Sequence, residues 1–405
     1  MKKLPTGPKD RQSILVNRRN LKMAGSAHAY VRGNTAKFYE WLKSLAGRKL
    51  PSGPPIWICG DCHVSNLGPL ANAEGRVEIE IRDLDQTVIG NPAHDLLRLS
   101  LSLATAARGS DLPGVTTAKM LEQVIEGYQG GLSRPTRPAR NEALATKTIK
   151  GVLKKALKRN WSNLADECIE GVSPTIPLGE CFWPLSKTEK QELERLFKTE
   201  EVRKLITCLR QRDNDDHIKI ADAAFWVKGC SSLGRLRYAV LVKVGKKKRG
   251  AEGFCLIDIK EAAKADAPRA TRKAVPADDA QRIVNGACSL SPFLGERMLA
   301  ARVCGRPVII RELRPQDLKV ELAELNSEEA VSTARFLAEI VGKAHGRQMT
   351  PGMRREWIAE LKRNQPKNIK APSWLWTSVV ELIAIHEKAY LEHCRSYALQ
   401  TKGSR

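Results

Sequence analysis

Apolar and polar positions repeat along this chain in patterns that change twice. Residues 1–23 are basic and polar and read as an arm or a first helix. From 23 to 46, apolar side chains fall near helical spacing through Phe38, Trp41, Leu42 and Leu45, with Ser26 or Asn34 standing where an N-cap belongs. Residues 47–55 form a loop. The apolar run 56–59 and the alternation Val77, Ile79, Ile81 then read as strands, with a turn at 72–76 between them. After Asp95 the run LLRLSLSLATAA predicts a strongly apolar helix. Further helical segments are expected over 116–130, 141–158 and 187–212, with a loop at 174–184.

The pattern shifts at Ala221. Two β-favouring runs, 223–227 and 238–244, flank KGCSSLGRLR and predict antiparallel strands joined by a glycine turn. A basic hairpin at 245–253 leads to a third strand, 254–259, which ends in Lys260-Glu261. A helix is expected over 279–289, and paired strands over 302–314 lead into a hinge at 314–319. Helical periodicity returns at 327–347, where Ala330, Ala334, Leu337, Ile340 and Val341 share a face. Closing helices are expected at 356–362 and 374–398, the latter burying Leu375, Val379, Leu382, Ile383 and Leu391. The implied organisation is α+β: a mainly helical part over 1–215, a small antiparallel β part over 216–318, and closing helices over 319–405.

Composition narrows the class. The 405 residues are 42% hydrophobic and 28% charged, as in ordinary globular proteins, and suffice for two lobes. No uninterrupted apolar stretch approaches a membrane span, and the basic N-terminus MKKLPTGPKDRQ has no apolar region after it, so a cytoplasmic protein without a membrane partner is expected. The ten cysteines then read as reduced thiols. Cys59 and Cys62 form a CxxC beside His63, but no second pair completes a zinc site. A formal charge of +23 favours anionic partners such as nucleotides, nucleic acid or phosphorylated metabolites. A merely solvated basic surface accounts for it equally well, because aromatics are only 5% and none interleave the basic runs.

Candidate chemistry concentrates in 56–99. Gly60-Asp61 is followed five positions later by Asn66, and the hairpin leads to Arg82-Asp83-Leu84-Asp85. Phosphoryl transfer needs a carboxylate to orient a hydroxyl, and an amide oxygen with a second carboxylate to hold Mg2+ on nucleotide phosphates. Kinase catalytic loops space their Asp and Asn by five, with a metal-binding Asp further on. Here CGDCHVSN and RDLDQTVIGNPAHDL resemble the HGDxHxxN and IDFxxxxxGxPxxDL signatures of aminoglycoside and choline phosphotransferases. From about Ala24 to the last helix, the chain resembles the bacterial family named domain of unknown function 2252, which belongs with the kinase-like fold. Turns alone also favour Gly, Asp and Asn, which is the simplest competing account of each residue taken singly.

The resemblance implies a two-lobed, protein-kinase-like fold with ATP and Mg2+ as cofactors. Asp61, Asn66 and Asp83 would be catalytic, and Asn66, Asp83 and Asp85 the metal set, Asp85 serving either as a second ligand or as a structural carboxylate. Gly229, Ser231, Ser232 and Gly234 would cover the phosphates, with Ser231 replacing the middle glycine of GxGxxG, and Lys260 would reach them. Asp95 would bond loop backbone, or simply favour its helix dipole. Arg32, from a matching Arg-Gly, reads as an anion clamp or a structural arginine. No acid near Asn285 is available to pair with Lys260; Glu261 or Glu296 are the substitutes. The catalytic residues precede the nucleotide residues, which implies a circular permutation or one spurious motif set. The expected activity is phosphoryl transfer to an unidentified hydroxyl on a small molecule or protein. Rivals are a nucleotidyl transferase, a non-catalytic nucleotide-binding pseudokinase, and a nucleic-acid-associated basic protein.

Overall fold

The computed structural model describes residues 4–5, 7–44, 50–134, 147–169, 175–207, 212, 217–230, 232–245, 253–269, 275–318, 326–363 and 371–397. Ser231, most of the basic hairpin (246–252), residues 141–146, 208–211 and 398, and Lys319 of the hinge lie outside these.

Three helices open the chain: α1 (Pro8–Ala24), α2 (Ala27–Gly33) and α3 (Thr35–Leu42). Both candidate caps are used, since Ser26 Oγ accepts from Ala29 N (3.0 Å) and Asn34 Oδ1 from Lys37 N (3.2 Å). Each cap starts its own helix, so the single helix expected over 23–46 is split. Strand β1 (Ile56–Ile58) pairs antiparallel with β4 (Val88–Gly90), and β2 (Leu67–Ala71) with β3 (Val77–Ile81). Asn72 closes the second hairpin, its Oδ1 accepting from Arg76 N at 2.7 Å. Helices α4 (Ala93–Gly109), α5 (Gly114–Ser133), α6 (Lys147–Lys158) and α7 (Trp161–Ile169) follow.

Within the stretch expected as a loop, Phe182–Trp183 is a short strand, β5. It is held at the sheet edge by pairing with Trp226 and Phe225, on which Phe182 and Trp183 also stack. The helix expected over 187–212 is two, α8 (Lys187–Leu196) and α9 (Glu200–Thr207). Then come β6 (Ile218–Trp226), β7 (Arg237–Val244), β8 (Phe254–Glu261), α10 (Asp279–Leu290), α11 (Pro292–Gly295), β9 (Met298–Val303) and β10 (Arg306–Leu313). These strands form one antiparallel sheet in the order β5-β6-β7-β8-β10-β9. Helices α12 (Ser327–Gly346), α13 (Pro351–Lys362) and α14 (Ser373–Tyr397) close the chain. Leu375, Val379 and Leu382 of α14 are buried as expected, but Leu391 is 60% exposed. No helix among the described residues is long and apolar enough to cross a membrane.

The mixed α+β architecture has separate cores. The largest joins β1–β4 to α3, α4, α5, α10 and the three closing helices. Within it α5 and α12 meet backbone to backbone: a Cβ on Gly131 would fall 2.2 Å from Glu339 O, and one on Gly342 2.2 Å from Tyr128 O. A second core lies between one face of the six-stranded sheet and α8, α9 and Leu15 of α1, and a third packs α7 on the opposite face. The ends of β6 and β8 and the loops after β1 and β3 meet where these cores adjoin.

Candidate functional site

Each functional side chain is positioned by a short link between an apolar strand and a polar loop. After β1 the chain turns at Gly60, whose φ of +75° is open to glycine. A Cβ there would lie 2.2 Å from Gln86 O, so glycine also lets the two acidic loops touch. Asp95, at the start of α4, caps this turn by accepting from Cys59 N (2.7 Å) and Gly60 N (2.9 Å). Asp95 therefore bonds loop backbone. Behind it runs a buried chain that the sequence patterns did not indicate. His345 Nε2 lies 3.1 Å from Asp95 Oδ2, Tyr128 Oη lies 2.8 Å from His345 Nδ1, and Trp357 Nε1 donates to Tyr128 Oη at 3.0 Å.

Asp61 is held by a residue that sequence spacing also missed. Arg98 of α4 is fully buried and donates from Nε to Asp61 Oδ1 at 2.7 Å and from Nη2 to Val31 O at 2.6 Å. The available signal was an arginine alone in the apolar run LLRLSL, because a buried guanidinium requires an acceptor. Asn66 donates its Nδ2 to Asp61 O at 2.9 Å, which commits the amide's donor and leaves its oxygen as the free group. His63 sits 3.9 Å from Asp61 Oδ2. Burial lowers its pKa to about 4, and Arg98 and Arg32 act in the same direction against Asp61, so it is neutral near pH 7. Cys59 and Cys62 are buried thiols whose pKa values are raised.

Lys260, at the end of β8, meets the second acidic loop. Its Nζ lies 2.6 Å from Asp85 Oδ2 and 3.4 Å from both oxygens of Asp83. The two proposed substitutes are engaged elsewhere: Glu261 accepts from Leu236 N and pairs with Arg306, and Glu296 accepts from Ala73 N. Lys260 thus has the aspartates as partners, and α10 contributes an arginine rather than an acid. Arg282 is fully buried and donates to Thr87 O (2.5 Å), Asp85 O (3.1 Å) and Ala263 O (2.7 Å), which braces the loop from behind.

The two aspartates are shifted in opposite directions. Burial pushes Asp83 up, but Lys260 and Arg311 outweigh it and hold the carboxyl well below the usual range. Asp85 goes the other way: burial and the neighbouring Asp83 raise it against the pull of Lys260. Although packed deep in the cleft, the Asp83 side chain is still 46% exposed to it, whereas Asp85 is 14% exposed and its Oδ1 is buried without a hydrogen-bond partner. The open, ionised Asp83 carboxylate and the Asn66 oxygen fit a hard divalent cation, whereas Asp85 is engaged by Lys260. Among the described residues no group of three His, Cys, Asp or Glu side chains is arranged for a metal. A Mg2+ ion in a phosphate site needs only one or two protein carboxylates, its remaining oxygens coming from substrate and water.

The glycine turn reaches the same place. Gly229 and Gly234 have φ of +103° and +101°, and Ser232 Oγ donates to Lys228 O (3.3 Å) across the turn. Gly229 and Ser232 line a cleft of about 820 Å3 with Lys260, Asp83 and Asn66; Gly234 does not line it. A narrower cleft of about 310 Å3 opens on its other side, lined by Asp61, Asn66, Asp83, Asp85, Arg19 and Arg235 among others. A separate 400 Å3 cavity beside α2 and α14 contains none of these residues. The site residues that the structure describes, Gly234 apart, therefore line two adjoining clefts with Asp83 between them.

A model of a family described as an uncharacterized protein conserved in bacteria (DUF2252) matches residues 11–396. No curated protein and no solved structure matches the chain.

Proposed function

The chain belongs to the bacterial DUF2252 family, and from that premise we propose that it is an ATP- and Mg2+-dependent phosphotransferase on a circularly permuted kinase-like fold. One observation carries the reading: Lys260 lies within 3.4 Å of Asp83 although 177 residues separate them. Two motif sets that occur in reversed order along the chain thus converge on one cleft. The succession β6, glycine turn, β7, β8 ending in lysine, then α10, follows the order of a kinase nucleotide lobe and supports the same assignment.

The geometry supports the following roles. The larger cleft takes the nucleotide, with Lys260 and the turn residues Gly229 and Ser232 on its phosphates. The narrower one takes the acceptor, whose hydroxyl faces Asp61. Arg98 fixes one Asp61 oxygen, so the other is left to accept the hydroxyl proton as the acceptor oxygen bonds to phosphorus and the bond to the leaving phosphate breaks. Asn66 and Asp83 would hold Mg2+, which supplies charge neutralisation at the phosphates. Asp85 orients Lys260, the role an acid from the helix after the lysine strand fills in kinases.

Calorimetry of ATP with Mg2+ on wild type, Asp83→Asn and Lys260→Ala tests the assignment. The expected result is binding by wild type, weakened at least tenfold in both variants, as for loss of a charge-assisted contact. Absence of Mg2+-dependent binding by wild type sinks the phosphotransferase reading.

A further inference from the structure

The larger cleft has more positive charge than Lys260 supplies. Ten Lys and Arg side chains line it against three acids. Most of those cations are engaged: Arg159 with Glu167, Arg237 and Arg311 with Asp258, and Lys260 with the aspartates. Two bracket the catalytic loop and the glycine turn and have no hydrogen-bond or ion-pair partner among the described residues, Lys228 and Arg32.

Lys228 stands at the exit of β6, immediately before Gly229. Its backbone is fixed on both sides, the N–H donating to Trp226 O (3.0 Å) and the carbonyl accepting from Ser232 Oγ. Its ammonium lies 4.0 Å from the centre of the Trp226 ring. Such a contact holds the side chain in place while leaving its hydrogen-bond donors unused. Arg32 approaches from the helical side, at the end of α2, where Gly33 packs against Cys230 of the turn. Its Nε is buried without an acceptor, an arrangement that costs free energy unless a ligand supplies one.

We propose that Lys228 and Arg32 form a second cationic clamp for the nucleotide's phosphates, one side chain from the sheet and one from the helices, separate from Lys260. The proposal rests on the nucleotide reading of this cleft. Phosphate oxygens can satisfy both idle donors, and a planar guanidinium and an ammonium lining the same cleft suit a chain of tetrahedral anions. The groups facing Lys228 are Glu167, which Arg159 already holds, the Cys168 thiol, Arg237, Asp258 and Arg311. Asp258 is already committed to the two arginines. Burial, aided by those arginines, brings the lysine's pKa down to about 8. An arriving anion raises it again, so binding takes up a proton above pH 8. Affinity then falls as pH rises through 8, by up to about tenfold per pH unit.

Calorimetry with two probes, ATP with Mg2+ and inorganic tripolyphosphate with Mg2+, decides the matter. It is run on wild type, Lys228→Met, Lys228→Arg and Arg32→Gln, after thermal melting has shown each variant folded. We expect Lys228→Met and Arg32→Gln each to weaken both probes about tenfold. Lys228→Arg should keep the affinity yet lose the extra decline between pH 7 and 9, because a guanidinium does not titrate there. A lysine that only packs on Trp226 would show neither effect. If wild type binds ATP and the variants bind it as tightly, the clamp is wrong and the nucleotide reading stands. If wild type binds tripolyphosphate but no ATP, and the variants lose it, the clamp stands and the nucleotide reading falls. Binding of neither probe by wild type overturns both.

Discussion

At the scale of single residues, the two aspartates of the second loop are easily confused and the structure separates them. Asp83 is open, ionised and beside Asn66's cleft, whereas Asp85 is nearly buried, holds Lys260 at 2.6 Å and has a raised pKa. Titration of Mg2+ at fixed ATP should therefore lose its response in Asp83→Asn. Asp85→Asn should keep the response while ATP affinity drops about tenfold, the loss expected when a lysine's charge-assisted contact is removed. An exchange of these two behaviours would reverse the roles. Spacing made Asp61, Asn66 and Asp83 legible because each sits in a short local pattern. What orients them was less legible: Arg98 and His345 reach the loops from 37 and 250 residues away, and Lys260, expected at the phosphates, was not expected to pair with Asp83, 177 residues before it. Only folding creates those neighbourhoods, and periodicity is blind to them.

At the scale of elements, the apolar patterns located helices and strands well where one face is buried. They failed at β5, two residues whose strand character comes entirely from pairing with β6 and from ring stacking. They also failed across 187–212, where amphipathic spacing continues past a break between α8 and α9. One link between elements carries a pH signature. Glu80 of β3 is 5% exposed and accepts from Ser291 Oγ (2.8 Å) and Phe293 N (3.1 Å), joining β3 to the α10–α11 junction. Burial raises its pKa to about 7, and Ser291, Arg347 and Phe293 only partly oppose this. With a folded pKa above the unfolded one, protonated Glu80 stabilises fully below the usual carboxyl value. That contribution is lost as pH rises through 7. Glu80→Gln imitates the protonated form, so it should match wild type in urea unfolding near pH 4.5. By pH 8 it should exceed wild type by about 2–3 kcal/mol. Equal stability at both pH values would mean the carboxyl is not buried as described.

At the scale of the whole molecule, the question is what keeps a sheet with its own cores aligned with a helical body so that Lys260 can meet Asp83. Like α10, which packs on β9, β10 and β1, helix α1 touches both. Its Leu15 enters the sheet core, its Met23 packs with Tyr30 and Ala389, and Asn20 O lies 2.8 Å from His393 Nε2 of α14. Lys22 donates to Gly229 O at 3.0 Å, so the same helix reaches the glycine turn. Its anchor on the sheet side is Arg11, 1% exposed, bonded to Glu189 at 2.7 and 3.0 Å and to Pro184 O at 2.7 Å, with its guanidinium 4.3 Å from the Phe225 ring centre. Glu189 in turn accepts from Ser186 and Tyr238, so removing Arg11 leaves a buried carboxylate without its counter-charge. Truncation of one partner in such a pair costs about 3–5 kcal/mol, far more than the pair contributes net. Arg11→Ala should show that loss in chemical unfolding, and in a Glu189→Gln background the same truncation should cost about half as much, because no charge is stranded. Equal costs in the two backgrounds would show that the arginine acts by packing on Phe225 instead. Should the coupling appear, Arg11→Ala should also weaken Mg2+-dependent ATP binding from a position that lines neither cleft, since the sheet that presents Lys260 would no longer be held in place by α1.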